Sequence, residues 1–274
     1  MEGIIPTLIL LLIINCLSIN QDSGVINFGE VQSYKKGDFM SAPGWKEYAT
    51  LEKDTLINGI LFKKGTEVDY DGSGKNRLSS GTLAKDQKIG GATYAANTSV
   101  AFYESGKLMW GILQKNTNIK GIKLKGLGYF FENGKIKSGT LAEDITIDNK
   151  NLIKNTQFSI DENGKLKNII MPKEQIIQNI KLPAKTIVYF YETGEVHELT
   201  FQEDTNLNGI WFKGGYPTIE VPDQIITARY PVKFYKSGKI LEGISAKNQI
   251  VQGQKIEKEK KIIFDEDEKI LSIE

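Results

Sequence analysis

Tyr129-Phe130-Phe131-Glu132-Asn133-Gly134-Lys135-Ile136 reads as the end of one strand, a tight turn and the start of the next. Phe130 and Ile136 are apolar among polar or mixed neighbours, the alternation of a strand with one buried face. The small-polar/Gly pair between them supplies the positive φ of a tight hairpin. The same phrase recurs at Ser73-Gly74-Lys75, Ser105-Gly106-Lys107, Asn163-Gly164-Lys165, Thr193-Gly194-Glu195 and Ser237-Gly238-Lys239, with Asp267-Glu268-Lys269 as a degenerate seventh copy. From Gly74 to Glu268 of the degenerate seventh copy the spacings are 32, 28, 30, 30, 44 and 30 residues, so the period is near 30 with one insertion. Four residues before each turn stand Tyr70, Phe102, Phe130, Ile160, Phe190, Phe234 and Phe264.

A second set of columns fills the rest of the period. Leu51, Leu83, Leu113, Leu141, Met171 and Phe201 each precede by six residues Ile57, Ile89, Ile119, Ile147, Ile177 and Leu207. Two residues further on lie Gly59, Gly91, Gly121, Asn149, Asn179 and Gly209, with Gly253 in the next copy. Gly alternating only with Asn marks a left-handed backbone position, because these residues tolerate it best. Each unit therefore reads as hairpin, loop and short strand, with no helical period beyond residue 20. The expected fold is all-β: tandem antiparallel hairpin repeats forming an elongated twisted sheet, preceded by a signal peptide. Residues 31–59 form a degenerate first copy, 60–245 the core copies and 246–274 a half-repeat cap. The insertion between Gly209 and Gly238 carries Pro217, Pro222 and Pro231 and is where the array bends or displays a loop.

Composition narrows the function classes. In 274 residues, Lys+Arg number 35 and Asp+Glu 34, a net charge of +1, so no global field draws the chain to nucleic acid. Arg77 and Arg229 are the only arginines, which argues further against recognition of phosphates or bases. With one His and one Cys, histidine-based triads, Cys/His zinc sites and disulfide frameworks are not expected. We expect no cofactor, no metal and no catalysis.

Residues 4–14, IIPTLILLLII, are too short an apolar run to span a bilayer and read as a signal-peptide core. Residues 1–15 are then expected to be a signal peptide: a lipoprotein signal would leave Cys16 as the lipidated first residue of the mature chain, and a plain cleaved signal with Cys16 incidental is the alternative. Residues 16–30 form a polar tether. Leu12-Ile13-Ile14-Asn15-Cys16 resembles the looser spirochaete form of the lipobox, although Ile13 stands where Leu is usual and Glu2 is the one charge ahead of the run. The resemblance implies an outer-membrane lipoprotein, periplasmic or surface-exposed, held to the membrane by its lipid alone.

Phe131-Glu132-Asn133-Gly134-Lys135-Ile136 and Tyr103-Glu104-Ser105-Gly106-Lys107-Leu108 resemble the MORN-like, antitoxin-like bacterial β-hairpin repeat family, over about residues 60–270. The period departs from the low twenties of that family, and a regular Tyr-x-Gly-x-Trp is absent. The resemblance implies a single-layer antiparallel sheet that binds or scaffolds an unknown protein or envelope component. An immunity or inhibitor role against a toxin or enzyme partner is the alternative.

The candidate binding surface is the column three before the turn: Tyr103, Phe131, Tyr191 and Tyr235, alternating with Asp71, Asp161 and Asp265. Parity puts it opposite the apolar column. Exposed aromatics in a row mark binding surfaces; paired across strands, the same aromatics instead stabilise the sheet. Trp110 and Trp211 extend such a surface. Asp69-Tyr70-Asp71-Gly72-Ser73-Gly74 resembles the start of a calcium loop but has Ser80 where the bidentate Glu belongs, so it reads as part of the repeat. His197 falls in a solvent-side column with Met109, Lys137, Lys167 and Leu241 and reads as a surface residue.

Overall fold

The computed structural model describes residues 34–36, 47–70, 76–77, 80–215 and 230–274; Cys16, the tether, residues 71–75 of the calcium-like loop with Gly74, and residues 216–229 of the Pro-rich insertion lie outside the described residues. The described residues are all strand, turn and loop, without a helix. They fall into two compact units. One runs up to Gly121 and includes Lys125–Ile136; the other is Ile122–Leu124 with Lys137–Glu274.

In the first unit, Tyr34–Lys36, Glu47–Leu51, Glu67–Tyr70 and Asn76–Arg77 form one antiparallel sheet in that order. Ser80–Thr82, Ser99–Phe102, Leu108–Ile112 and the part of the strand Ile122–Phe130 from Lys125 onward follow as a second ladder. The second unit continues the same plan through Gln157–Ile160, Leu166–Ile170, Ile187–Phe190, Val196–Thr200, Val232–Phe234, Ile240–Ile244, Lys261–Phe264 and Ile270–Ile273.

Among the described residues, the ladder turns at Gly106, Gly134, Gly164, Gly194 and Gly238 fall where the small-polar/Gly pair predicts. The Phe131 N–H donates to the Lys135 carbonyl at 2.8 Å, and the Gly134 N–H donates to the Phe131 carbonyl at 2.8 Å. This is a three-residue loop, a type I turn closed by one left-handed residue. Gly134 has φ +74°, and Gly106, Gly164, Gly194 and Gly238 share that region. The left-handed demand falls on Gly alone, so the residue before it needs only turn propensity. In the last copy Glu268 holds the position at φ 61°. Glu268→Gly is therefore expected to stabilise the protein by about 1 kcal/mol, read as a higher urea midpoint; an unchanged or lower midpoint contradicts this turn geometry.

The segment read as a loop and a short strand is a second, smaller hairpin. Thr55–Ile57 pairs with Ile60–Phe62, Gln87–Ile89 with Ala92–Tyr94, Ile145–Ile147 with Lys150–Leu152, Gln175–Ile177 with Ile180–Leu182, Thr205–Leu207 with Ile210–Phe212, and Gln249–Val251 with Gln254–Ile256. The Gly/Asn column is the second of two consecutive left-handed residues, as at Asn58-Gly59, Gly90-Gly91, Asp148-Asn149, Gln178-Asn179 and Gln252-Gly253. Two positive φ angles in a two-residue loop define a type I′ turn, whose twist suits a tight hairpin.

An aspartate staple closes this small hairpin. Asp54 Oδ1 accepts the Lys64 N–H, Asp86 the Ala96 N–H, Asp144 the Lys154 N–H, Asp204 the Gly214 N–H, and Asn248 the Lys258 N–H, at 2.6–3.0 Å and always ten residues apart. The Leu column frames the same loop with its backbone: Leu141 donates to the Thr156 carbonyl and accepts the Asn155 N–H.

The small hairpins lie over the apolar face of the ladder, so the core is a sandwich within each unit instead of one face of a single layer. Phe62, Tyr94 and Phe212 point into it and are almost fully buried. Beneath each lies a glycine: a Cβ at Gly81 would come within 2.6 Å of Phe62, at Gly111 within 2.7 Å of Tyr94, and at Gly243 within 2.5 Å of Phe212. Where the small hairpin instead ends in Leu152 or Leu182, the ladder position holds Ile169 or Leu199, both buried. Ring over glycine and leucine over aliphatic are two ways to fill one layer at constant volume.

Candidate functional site

The aromatic column lies on the ladder face away from the small hairpins, as parity predicts, yet Tyr103, Phe131, Tyr191 and Tyr235 are all half-buried. The reason is a second staple. The Tyr103 hydroxyl donates to the Phe130 carbonyl at 2.7 Å, Tyr191 to the Phe234 carbonyl at 2.7 Å, and Tyr235 to the Phe264 carbonyl at 2.8 Å. Each phenol thus crosses to the first strand of the following hairpin and satisfies a carbonyl there, worth about 1 kcal/mol. These tyrosines join neighbouring copies. Phe131 has no hydroxyl and makes no such bond.

Around Tyr191 the face carries several polar groups. The His197 and Tyr191 ring centroids are 4.4 Å apart, and Lys236 Nζ is 5.6 Å from the Tyr191 centroid. One row across the ladder pairs Glu198 with Lys233 and Lys233 with Glu242. Lys233 and Lys261 both hold the Glu242 carboxylate, at 2.8 and 2.9 Å. Burial, and then the Lys233 charge, push the His197 imidazole below its ordinary range. In the unfolded chain His197 titrates near 6.5, so as pH falls from 7 the unfolded state binds the proton first and stability drops. We expect NMR titration of the His197 Hε1 proton to give a midpoint below 6.5, and His197→Gln to remove that part of the acid sensitivity; a midpoint at or above 6.5 contradicts the packing against Tyr191.

Trp110 lies on this face with its ring centroid 6.2 Å from that of Tyr129. Trp211 belongs to the small-hairpin layer, under Lys247 Nζ at 4.0 Å, with its backbone N–H and carbonyl both bonded to the Gln249 amide. Among the described residues no group of His, Cys, Asp and Glu side chains is arranged to hold a metal ion.

A different feature of the first unit is a cavity. It has a volume of about 480 Å³ and lies between the tips of two successive small hairpins, at Ile89–Ala92 and Asn118–Lys120, and two ladder turns, at Gly106–Leu108 and Asn133–Gly134. Its walls interrupt the burial pattern of the repeat. Ile57, Ile147, Ile177, Leu207 and Val251 are buried, whereas Ile89 and Ile119 in the same column are half-exposed. Ile136, Leu166, Val196 and Ile240 are buried, whereas Leu108 is half-exposed; Ile270 on the last strand is the other exception. Gly90 and Ala92 face this space, and a Cβ added to Gly90 would meet nothing within 4 Å.

Neither the aspartate staple nor the cavity follows from the readings of single motifs. The staple has a signal: Asp54, Asp86, Asp144 and Asp204, with Asn116, Glu174 and Asn248, all stand three residues after the Leu column. No family model matches the chain, and no curated protein matches it.

Proposed function

We propose that this chain is an exported binding module of the cell envelope, anchored through a lipid on Cys16, that holds its ligand without catalysis. The cavity of the first unit carries the binding part of this reading. A repeat that buries Ile57, Ile147, Ile177, Leu166 and Val196 elsewhere leaves Ile89, Ile119 and Leu108 half-exposed around one space. Ligand pockets are concave and mostly apolar with a few placed polar groups, and Asn118, Asn133, Lys107 and Lys120 supply those here. The apolar run ahead of Cys16 supports export and anchoring. Attached acyl chains anchor stably because each buried CH2 contributes about 0.8 kcal/mol.

Growth with an alkyne-bearing fatty acid tests the anchor. We expect the wild-type protein to take up the label and to partition into detergent, and Cys16→Ser to lose both. A Cys16→Ser protein that still carries label, or a wild type that carries none, contradicts the anchor. Protease added to intact cells, with lysed cells as control, then separates a surface location from a periplasmic one.

A further inference from the structure

The same place in the second unit is not empty, and its contents name the missing group. At the repeat positions of Gly90 and Ala92 stand Asp148 and Lys150, and at those of Lys107 and Leu108 stand Lys165 and Leu166. The Asp148 carboxylate, 7% exposed, accepts from Lys165 Nζ at 2.8 Å and from the Leu166 N–H at 3.4 Å, and lies 3.7 Å from Lys150 Nζ. The Lys150 stem runs forward until its Nζ is 4.8 Å from the Phe190 ring centroid. Phe190 has the repeat position of Phe130, which lines the cavity.

Two other copies fill the position with an amide. Gln178 donates from Nε2 to the Gly194 carbonyl at 2.8 Å and accepts the Val196 N–H at 2.9 Å. Gln252 donates to the Glu268 carbonyl and accepts the Ile270 N–H at 3.2 Å. A side chain from the small hairpin thus reads the backbone just past the next ladder turn in all three copies. The register is also the same at Leu108, which pairs with Phe102 as Val196 pairs with Phe190. Gly90 has no side chain to offer the Gly106 carbonyl or the Leu108 N–H.

The first unit therefore keeps the receiving half of the Asp148 arrangement and lacks the giving half. Lys107 stands where Lys165 does, Lys120 adds a second cation, and no carboxylate among the described residues lines the space. Ile89, Ala92, Leu108, Ile119 and Phe130 offer an apolar wall where the Lys150 stem would lie. We propose that this cavity binds a small carboxylate with an unbranched apolar body. Its head takes the place of the Asp148 carboxylate, accepting from the Leu108 N–H and Lys107 Nζ, and its body lies toward Phe130. This rests on the cavity being a binding site and adds the ligand class.

The test uses the purified protein, titrated with hexanoate, hexanamide and 1-hexanol, with binding read from the backbone amide shifts of Gly106, Lys107 and Leu108. We expect saturable shifts with hexanoate and affinity about tenfold above that for hexanamide, since a charge-assisted pair replaces a neutral one. Gly90→Asp/Ala92→Lys installs the chain's own ion pair and should abolish binding. Asp148 already occupies that position at φ 49°, close to the 56° of Gly90, so the variant should fold. Lys107→Gln should weaken hexanoate about fivefold and leave hexanol unchanged. A tripeptide, acetyl-Ala-Ala-Leu with a free carboxyl end, is the second arm. Tighter binding of hexanoate supports the proposal as stated; tighter binding of the peptide would keep the carboxylate head, assign it to a polypeptide end and overturn the unbranched apolar body. Equal or tighter binding of hexanamide or hexanol overturns the carboxylate while leaving the cavity a binding site. Hexanoate shifts that persist in Gly90→Asp/Ala92→Lys overturn the placement. Silence from every probe overturns both the ligand class and the binding reading beneath it.

Discussion

Gly111→Leu is expected to destabilise the protein by about 3 kcal/mol, and Tyr94→Leu in the same chain to restore most of that loss. The Tyr94 ring occupies the volume a side chain at 111 would need: an ideal Cβ there lies 2.7 Å from Tyr94 Cδ1 and 3.0 Å from Val100 Cγ1. Tyr94 is 2% exposed, so the ring has no solvent to move into. The second unit supplies the compensated arrangement. Leu182, Val188 and Leu199 stand at the repeat positions of Tyr94, Val100 and Gly111, and all three are fully buried. Tyr94→Leu alone removes ring volume over a glycine and should cost about 2 kcal/mol as a cavity. Urea unfolding of the two single variants and the double variant closes the cycle. A double variant near wild-type stability establishes the coupling; loss equal to the sum of the single changes would show that ring and glycine are not one packing unit.

Gly134→Val is the second large effect, at about 2 kcal/mol destabilising. Gly134 sits at φ +74° with its N–H bonded to the Phe131 carbonyl, and a Cβ there meets no atom within 4 Å. The cost is therefore conformational: a β-branched residue is forced into left-handed backbone with no clash to relieve. Gly134→Asn should cost much less, because Asn tolerates that region. Equal losses for Val and Asn would point to a steric cause and away from the turn. Melting curves indistinguishable from wild type for Val would sink the hairpin-turn assignment itself.

Much of the fold is legible because the repeat samples each position seven times. The turn column is Gly at 106, 134, 164, 194 and 238, where φ is positive, with Glu268 the departure among the described residues, and Phe102, Phe130, Phe190, Phe234 and Phe264 recur in the column that faces the core. The small hairpins are less legible. Their strands are three residues long, too short for alternation to separate strand from loop, and the first left-handed position of the type I′ turn is held by Asn58, Gly90, Lys120, Asp148, Gln178, Asn208 and Gln252. Such a mixed column hides the turn because its side chains are selected for what they reach. Asp148 and Gln178 are there to bond the backbone of the following turn.

The tyrosine column shows the same division. Alternation places Tyr103, Tyr191 and Tyr235 on the ladder face away from the core. Only the arrangement of adjacent hairpins brings their hydroxyls within 2.8 Å of the Phe130, Phe234 and Phe264 carbonyls and turns an outward stripe into joints between copies. Sequence alone determined the period, the ladder turns, the Gly/Asn column of left-handed positions and the apolar column four before each turn, because backbone sterics and burial act on each position locally. The tertiary structure decided the second layer, the ring-over-glycine packing and the cavity at Gly90 and Ala92, because each depends on which side chain arrives from a neighbouring copy. A missing side chain leaves no mark in its own segment; it becomes a site only where the fold expects something to be.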